Sequence, residues 1–173
     1  DAGAYDVVNK LNQDFVDAVR ATGGNNEYRN LVCNPYSAGH TKAKLDNWLV
    51  PQDVHPNHIV ASYHTYDPYS FCNDNGQYNI NIFDASCEAE IDAMIKLTSD
   101  RFSELGIPFF VGEFGAIDNK KSMAERIKYA KYMMTKLREH GTTGIWWMGL
   151  YDRKTATWYE NEIADALMSV TNQ

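Results

Sequence analysis

Apolar residues at Val7, Val8, Leu11, Phe15, Val16 and Val19 recur at helical spacing, which predicts an amphipathic helix stopped by Gly23-Gly24. Leu31-Val32-Cys33 follows as a short strand, and a looser helical stretch from Lys42 to Leu49 ends before Pro51. His58-Ile59-Val60-Ala61-Ser62 is the second strand, and a long loop rich in Tyr, Asp and Asn leads away from it. Ile91, Met94, Ile95, Phe102 and Leu105 mark the next helix, closed by Gly106. Pro108, Phe109, Phe110 and Val111 are apolar on both faces and read as a buried parallel strand. Ser122 and Glu125 form a capping box for a long amphipathic helix through Ile127, Met134 and Leu137, ended by Gly141. Thr143-Gly144-Ile145-Trp146-Trp147 is the fourth strand, and a last helix carries Ile163, Leu167 and Val170.

The order is a helix and then four strand–helix units, with no linker or low-complexity segment, so residues 1–173 read as a single α/β domain. Strands that alternate with helices pair in parallel through right-handed crossovers. Four units suit a small open sheet or half of an eight-stranded barrel. No glycine-rich phosphate loop follows the first strand, which counts against a nucleotide-binding open sheet.

Composition narrows the choice of partners. The net charge of −7 leaves no basic stripe to neutralise phosphates, so nucleic acid is not expected. No apolar run approaches bilayer length, so no membrane span is expected. The chain begins without a basic region and an apolar core behind it, so any signal peptide has been removed or never existed. Eleven Tyr and four Trp lean towards flat, weakly polar ligands such as sugars, although a packed core uses aromatics too. Of the three cysteines, Cys33 sits in a strand pattern and reads as a small buried hydrophobe. Cys72 and Cys87 bracket a loop, and whether they pair as a disulfide in an exported protein stays open. Neither a CxxC pair nor an HExxH motif is present, so no metal and no cofactor are expected.

The chemistry gathers at strand ends. Val111-Gly112-Glu113-Phe114-Gly115 is an apolar strand that ends on a carboxylate between two glycines, and α/β barrels keep their chemistry at the C-terminal tips of strands. The flanking glycines allow a tight turn or the close approach of a bulky ligand. Taken alone, Glu113 reads equally well as a helix cap or the partner of an Arg. His64 and Tyr66 follow the second strand, and Trp147 ends the fourth. Singly, His64 reads as a satisfied strand-end imidazole and Tyr66 as a packing residue. Trp146 and Trp147 alternate faces, so one of them is plain core. In one parallel sheet all these ends share a face, and an imidazole, a phenol, a carboxylate and an indole together equip a sugar site.

Four segments resemble the C-terminal half of glycoside hydrolase family 5, the large cellulase family, and most of all its endoglucanase and xyloglucanase-type branch. Asn12 to Asn26, with Arg29, is similar to the family's helix 4 and the approach to strand 5. Ala61-Ser62-Tyr63-His64-Thr65-Tyr66-Asp67-Pro68-Tyr69, with Phe71, resembles strand 6, and Val111 to Ala116 the nucleophile motif of strand 7. Leu150-Tyr151-Asp152-Arg153, with Trp158 and Tyr159, resembles the segment that follows strand 8.

The resemblance implies a (β/α)4 half of a TIM barrel, strands 5 to 8 preceded by helix 4. It also implies a retaining endo-β-1,4-glucanase with a β-glucan substrate, secreted from the cell. It makes Glu113 the nucleophile, His64 and Tyr66 the residues that orient it, and Trp147 the stacking platform. Two departures stand out. The family's acid/base Glu lies in an Asn-Glu-Pro motif on strand 4, and this sequence has none; its Asn26-Glu27 and Asn161-Glu162 pairs lie elsewhere. Trp147 also runs straight into Met148-Gly149-Leu150, so the usual loop after strand 8 is short. A half barrel has two raw edges, and four strands cannot close. Completion is therefore expected from a twofold homodimer or from a complementary half in another chain. The alternative to an enzyme is a catalytically silent sugar-binding or structural scaffold.

Overall fold

The computed structural model describes residues 2–73, 80–118, 120–147 and 149–171. Its elements are α1 (Ala2–Ala21), β1 (Leu31–Cys33), α2 (Lys42–Asp46), β2 (Ile59–His64), α3 (Tyr69–Cys72), α4 (Ala85–Glu104), β3 (Phe109–Phe114), α5 (Met123–Glu139), β4 (Gly144–Trp146), β5 (Tyr151–Asp152), β6 (Thr157–Trp158) and α6 (Asn161–Thr171). The first four strands form one parallel sheet in the order β1-β2-β3-β4. In its first ladder Leu31 faces Ile59 and Cys33 faces Ala61. The last two strands make a separate antiparallel ribbon. Part of the long loop after β2, residues 74–79, lies outside the described residues, as does Met148.

Helix ends follow the expected chemistry. Gly106 and Gly141 adopt φ of 67° and 71°, which a residue with a Cβ rarely reaches, and each lets the chain turn back on its helix. Behind them the Ile107 and Thr142 N–H groups donate to the Phe102 and Leu137 carbonyls, closing both ends as Schellman motifs. At the start of α5 the Ser122 hydroxyl accepts from the Glu125 N–H at 3.2 Å. The expected capping box forms only by that half. The Glu125 carboxylate accepts instead from the Phe83 N–H at 2.7 Å and pairs with Lys128, because a distant loop offers it a backbone donor.

The chain folds as two compact units. The first comprises Asp1–His64 and Leu97–Gly112. Its core packs Trp48, Tyr63, Phe102 and Phe109 as rings 4.9 to 6.3 Å apart around Leu31, Leu45, Ile59 and Val111. Cys33 is buried there as expected, and burial pushes its thiol up to about 11. Arg20 of α1 forms a bidentate, buried ion pair with Asp53 at 2.8 and 2.6 Å and holds that carboxyl down at about 2. One expectation fails in α1. Val16 is buried, but Val7, Leu11 and Phe15 stand exposed as a stripe, since a helical period shows that a face is apolar and not what covers it.

The second unit comprises Thr65–Lys96 and Glu113–Gln173. Phe71, Phe83, Phe114, Tyr129 and Trp146 form its aromatic core, with Met133, Leu137 and Ile163 filling between. Cys72 and Cys87 are both buried and free, so no disulfide links them. Among the described residues no helix is long and apolar enough to cross a membrane.

Candidate active site

Glu113 leaves the buried face of β3 because the strand's alternation breaks there. Val111 and Phe114 are both fully buried although they are three positions apart, so the residues between them turn away from the core. The Thr65 N–H donates to the Glu113 carbonyl at 2.9 Å, which ties the segment after β2 to the tip of β3. One residue further on, the Tyr66 hydroxyl donates to Glu113 Oε2, also at 2.9 Å. Burial first, and then the bond to Glu113, push the Tyr66 phenol well above the ordinary tyrosine range. It therefore stays a donor at any physiological pH.

The two glycines beside Glu113 serve packing, contrary to expectation. A Cβ on Gly112 would stand 2.5 Å from Ser62 Oγ and 3.1 Å from His64 Cδ2, so these side chains already occupy the space. A Cβ on Gly115 would stand 2.5 Å from the Trp147 carbonyl oxygen. Neither glycine makes a positive-φ turn, and at each the Cβ position is already taken by a neighbouring strand. The Trp147 N–H donates to the Phe114 carbonyl at 2.7 Å, which locks the end of β4 against the end of β3.

Tyr66, Gly115 and Trp147 line a cavity of about 210 Å³ together with Cys72, Asn73, Ala116 and Ile117. Trp147 is 53% exposed there, while Trp146 is half-buried and packs edge-on against Phe114, so the two indoles face opposite ways as alternation requires. The structure thus brings Glu113, Tyr66 and Trp147 into the second unit. His64 closes β2 in the first, half-buried against Gly112. Among the described residues no group of three or more His, Cys, Asp or Glu is arranged to hold a metal ion.

Arg126 is a supporting residue that the sequence did not announce. It is buried, donates from Nε to the Ala116 carbonyl at 3.0 Å, and makes a bidentate pair with Glu160 at 2.5 and 2.8 Å. The wall of the cavity just after Glu113 is therefore pinned by a charge-assisted network. An Arg on an apolar helix face was the available signal, but its partner lies 34 positions away.

The class is α/β, a four-stranded parallel sheet with a tyrosine-held carboxylate at the C-terminal tip of β3. The family model of cellulase (glycosyl hydrolase family 5) matches residues 1–152, and the chain belongs to that family. It is 32% identical to endoglucanase A of Clostridium longisporum over 94% of its own length and 33% of that relative. It is 29% identical to endoglucanase A of Ruminococcus albus, over 93% of this chain and 47% of that protein. Among solved structures it superposes with TM-score 0.87 on a family 5 lichenase mutant from a Caldicellulosiruptor species in complex with cellotetraose, at 34% identity, covering 95% of this chain and 49% of that one. A broad-specificity endoglucanase from Clostridium longisporum gives TM-score 0.89 at 29% identity, with 96% and 51% covered. The chain spans about half of these solved structures and less than half of the two curated relatives.

Proposed function

We propose that this chain carries the nucleophile half of a retaining endo-β-1,4-glucanase-type site. The observation that supports it most is the Tyr66 hydroxyl at 2.9 Å from Glu113 Oε2, at the tip of β3, with Tyr66 and Trp147 walling one cavity. In this reading Glu113 attacks the anomeric carbon of a bound glucosyl unit. The glycosidic C–O bond breaks as the glycosyl ester forms. Tyr66, protonated throughout, holds the carboxylate in one orientation. Trp147 offers its exposed indole to the face of a sugar ring. The cavity is smaller than the roughly 300–1,000 Å³ of a complete ligand site, as one wall of a longer cleft would be. A polymeric glucan lies outside cells, so the protein would be secreted.

The leaving oxygen needs a proton from a second carboxylic acid about 5 Å from the nucleophile. The family's residue for that task sits in an Asn-Glu-Pro motif absent from these 173 residues. In this reading the strands are the last four of a barrel, and among the described residues no strand pairs with the outer edge of β1 or β4, edges that a second copy or a complementary half would cover. That missing motif also favours a second reading, a catalytically silent sugar-binding scaffold. A reducing-sugar assay on carboxymethylcellulose separates the two. Very weak hydrolysis abolished by Glu113→Gln supports the enzyme, and sugar binding with no Glu113-dependent hydrolysis supports the scaffold.

A further inference from the structure

The backbone from Glu113 to Ile117 is tied to its surroundings by three backbone bonds and one side chain. The Thr65 and Trp147 N–H groups donate to the Glu113 and Phe114 carbonyls at 2.9 and 2.7 Å, and the Ile117 N–H donates to the Cys72 carbonyl at 3.1 Å. The side-chain tie is the bond from Arg126 Nε to the Ala116 carbonyl at 3.0 Å. Ala116 and Ile117 wall the cavity beside Tyr66 and Trp147, so this one bond sets part of the wall that a sugar at Glu113 would meet.

Helix stability does not call for a cation at this place. Arg126 is the fourth residue of α5, close to the positive end of the helix dipole, which disfavours it. It is 4% exposed, and a buried ion pair is often no more stabilising than apolar residues of the same volume. What the guanidinium supplies and an apolar residue cannot is direction. Glu160, the residue before α6, accepts from Nη1 and Nη2 at 2.5 and 2.8 Å, and this fork fixes the plane in which Nε points at Ala116. One rigid group thereby joins α5, the head of α6 and the segment that follows Glu113.

We propose that Arg126 is a positioning residue for the reaction at Glu113. Acting through the Ala116 carbonyl, it holds residues 113–117 so that the carboxylate meets an anomeric carbon in line, and Glu160 serves it by fixing the guanidinium. This rests on the glucanase reading of the Glu113 site and adds to it a buried group that lies outside the cavity lining.

Labelling of the 173-residue chain by 2,4-dinitrophenyl 2-deoxy-2-fluoro-β-cellobioside tests it, because Glu113 can displace dinitrophenolate from this probe without an acid. Dinitrophenolate release followed against probe concentration separates affinity from the first-order rate of ester formation. A merely structural loss lowers the amount of label and leaves that rate alone. Arg126→Lys keeps the charge beside Glu160 but cannot offer both the fork and the Nε donor. Its expected rate is about ten- to a hundredfold below the parent's at nearly unchanged affinity, since a misplacement of about 1 Å reaches the upper figure. Glu160→Gln is isosteric at a partly exposed side chain, so it keeps the fold, and it loosens the guanidinium without removing it. It is expected to lose about three- to tenfold in the same rate, and thermal melting checks that each variant is folded at the assay temperature. An unchanged rate in Arg126→Lys, or in Glu160→Gln where only that variant folds, overturns the proposal and leaves the network to stability alone. Weaker probe affinity with the rate intact overturns it as well, because the wall then shapes binding and not attack. A parent that releases no dinitrophenolate and stays unlabelled overturns the glucanase reading itself.

Discussion

Burial and the Glu113 carboxylate act on the Tyr66 phenol in the same direction, and mutation separates them. Glu113→Gln removes the charge and keeps the pocket, so Tyr66 should titrate earlier than in the parent yet remain above the ordinary value near ~10, since burial is the larger cause. Ring-carbon NMR shifts followed against pH, with Tyr66→Phe to assign the signal, give the answer; an unchanged titration would mean the two groups do not interact. Gly115→Ala drives a Cβ into the Trp147 carbonyl, a backbone atom that cannot rotate aside. It should cost about 1–3 kcal/mol in urea unfolding and alter the Trp147 emission. At this scale Glu113 and Tyr66 were legible because a carboxylate at the end of an apolar strand, and a phenol just past another, carry their own signal. The job of the glycines was not. Their neighbours, Ser62 and the Trp147 carbonyl, come from other strands, and a sequence shows no distances across a sheet.

Two contacts at the ends of elements are open to test. The Asp53 carboxyl, held at about 2 by Arg20, lies below its unfolded value near 3.9. Its contribution is therefore complete above about pH 4 and is lost as pH falls towards 2, on the order of 1–2 kcal/mol. Asp53→Asn should flatten that stretch of the stability curve measured by urea unfolding from pH 5 to 2; a parallel curve would show that the pair is not the cause. Ser122→Ala removes the acceptor for the Glu125 N–H and should cost about 1 kcal/mol. A smaller loss would mean that the Glu125 bond to Phe83 alone holds the start of α5. The long helices were readable because each repeats one period over many residues, and β1 to β4 because each is an apolar run set between polar loops. The ribbon β5–β6 and the four-residue α3 were not, because two to four residues are too short to show any period. In α1 the period was right and the burial was not, since three of its apolar positions face away from the core.

At the scale of the molecule, the outer edges of β1 and β4, which pair with no strand among the described residues, and the exposed stripe on α1 predict self-association. Light scattering should report a dimer or larger species, and a monomer near 19.7 kDa over a wide concentration range would contradict this. A twofold barrel brings two Glu113 side chains together from strands four apart, whereas the family's catalytic pair comes from strands three apart. Their separation should exceed the retaining distance of about 5 Å, so neither becomes a competent acid. Hydrolysis at the rates of ordinary enzymes, ~1 s⁻¹ or more, by a pure sample would sink the half-site account.

The central claim is that Glu113 is a nucleophile waiting for its acid, and a substrate that needs no acid tests it most directly. A 2,4-dinitrophenyl 2-deoxy-2-fluoro-β-cellobioside carries a leaving group that departs unprotonated, while the fluorine slows hydrolysis of the ester that forms. Peptide mapping by mass spectrometry after incubation should find the fluorosugar bound to Glu113, accumulating because no second carboxylate activates water, and Glu113→Gln should take up none. A chain that stays unlabelled, or one labelled on a different carboxylate, would contradict the assignment.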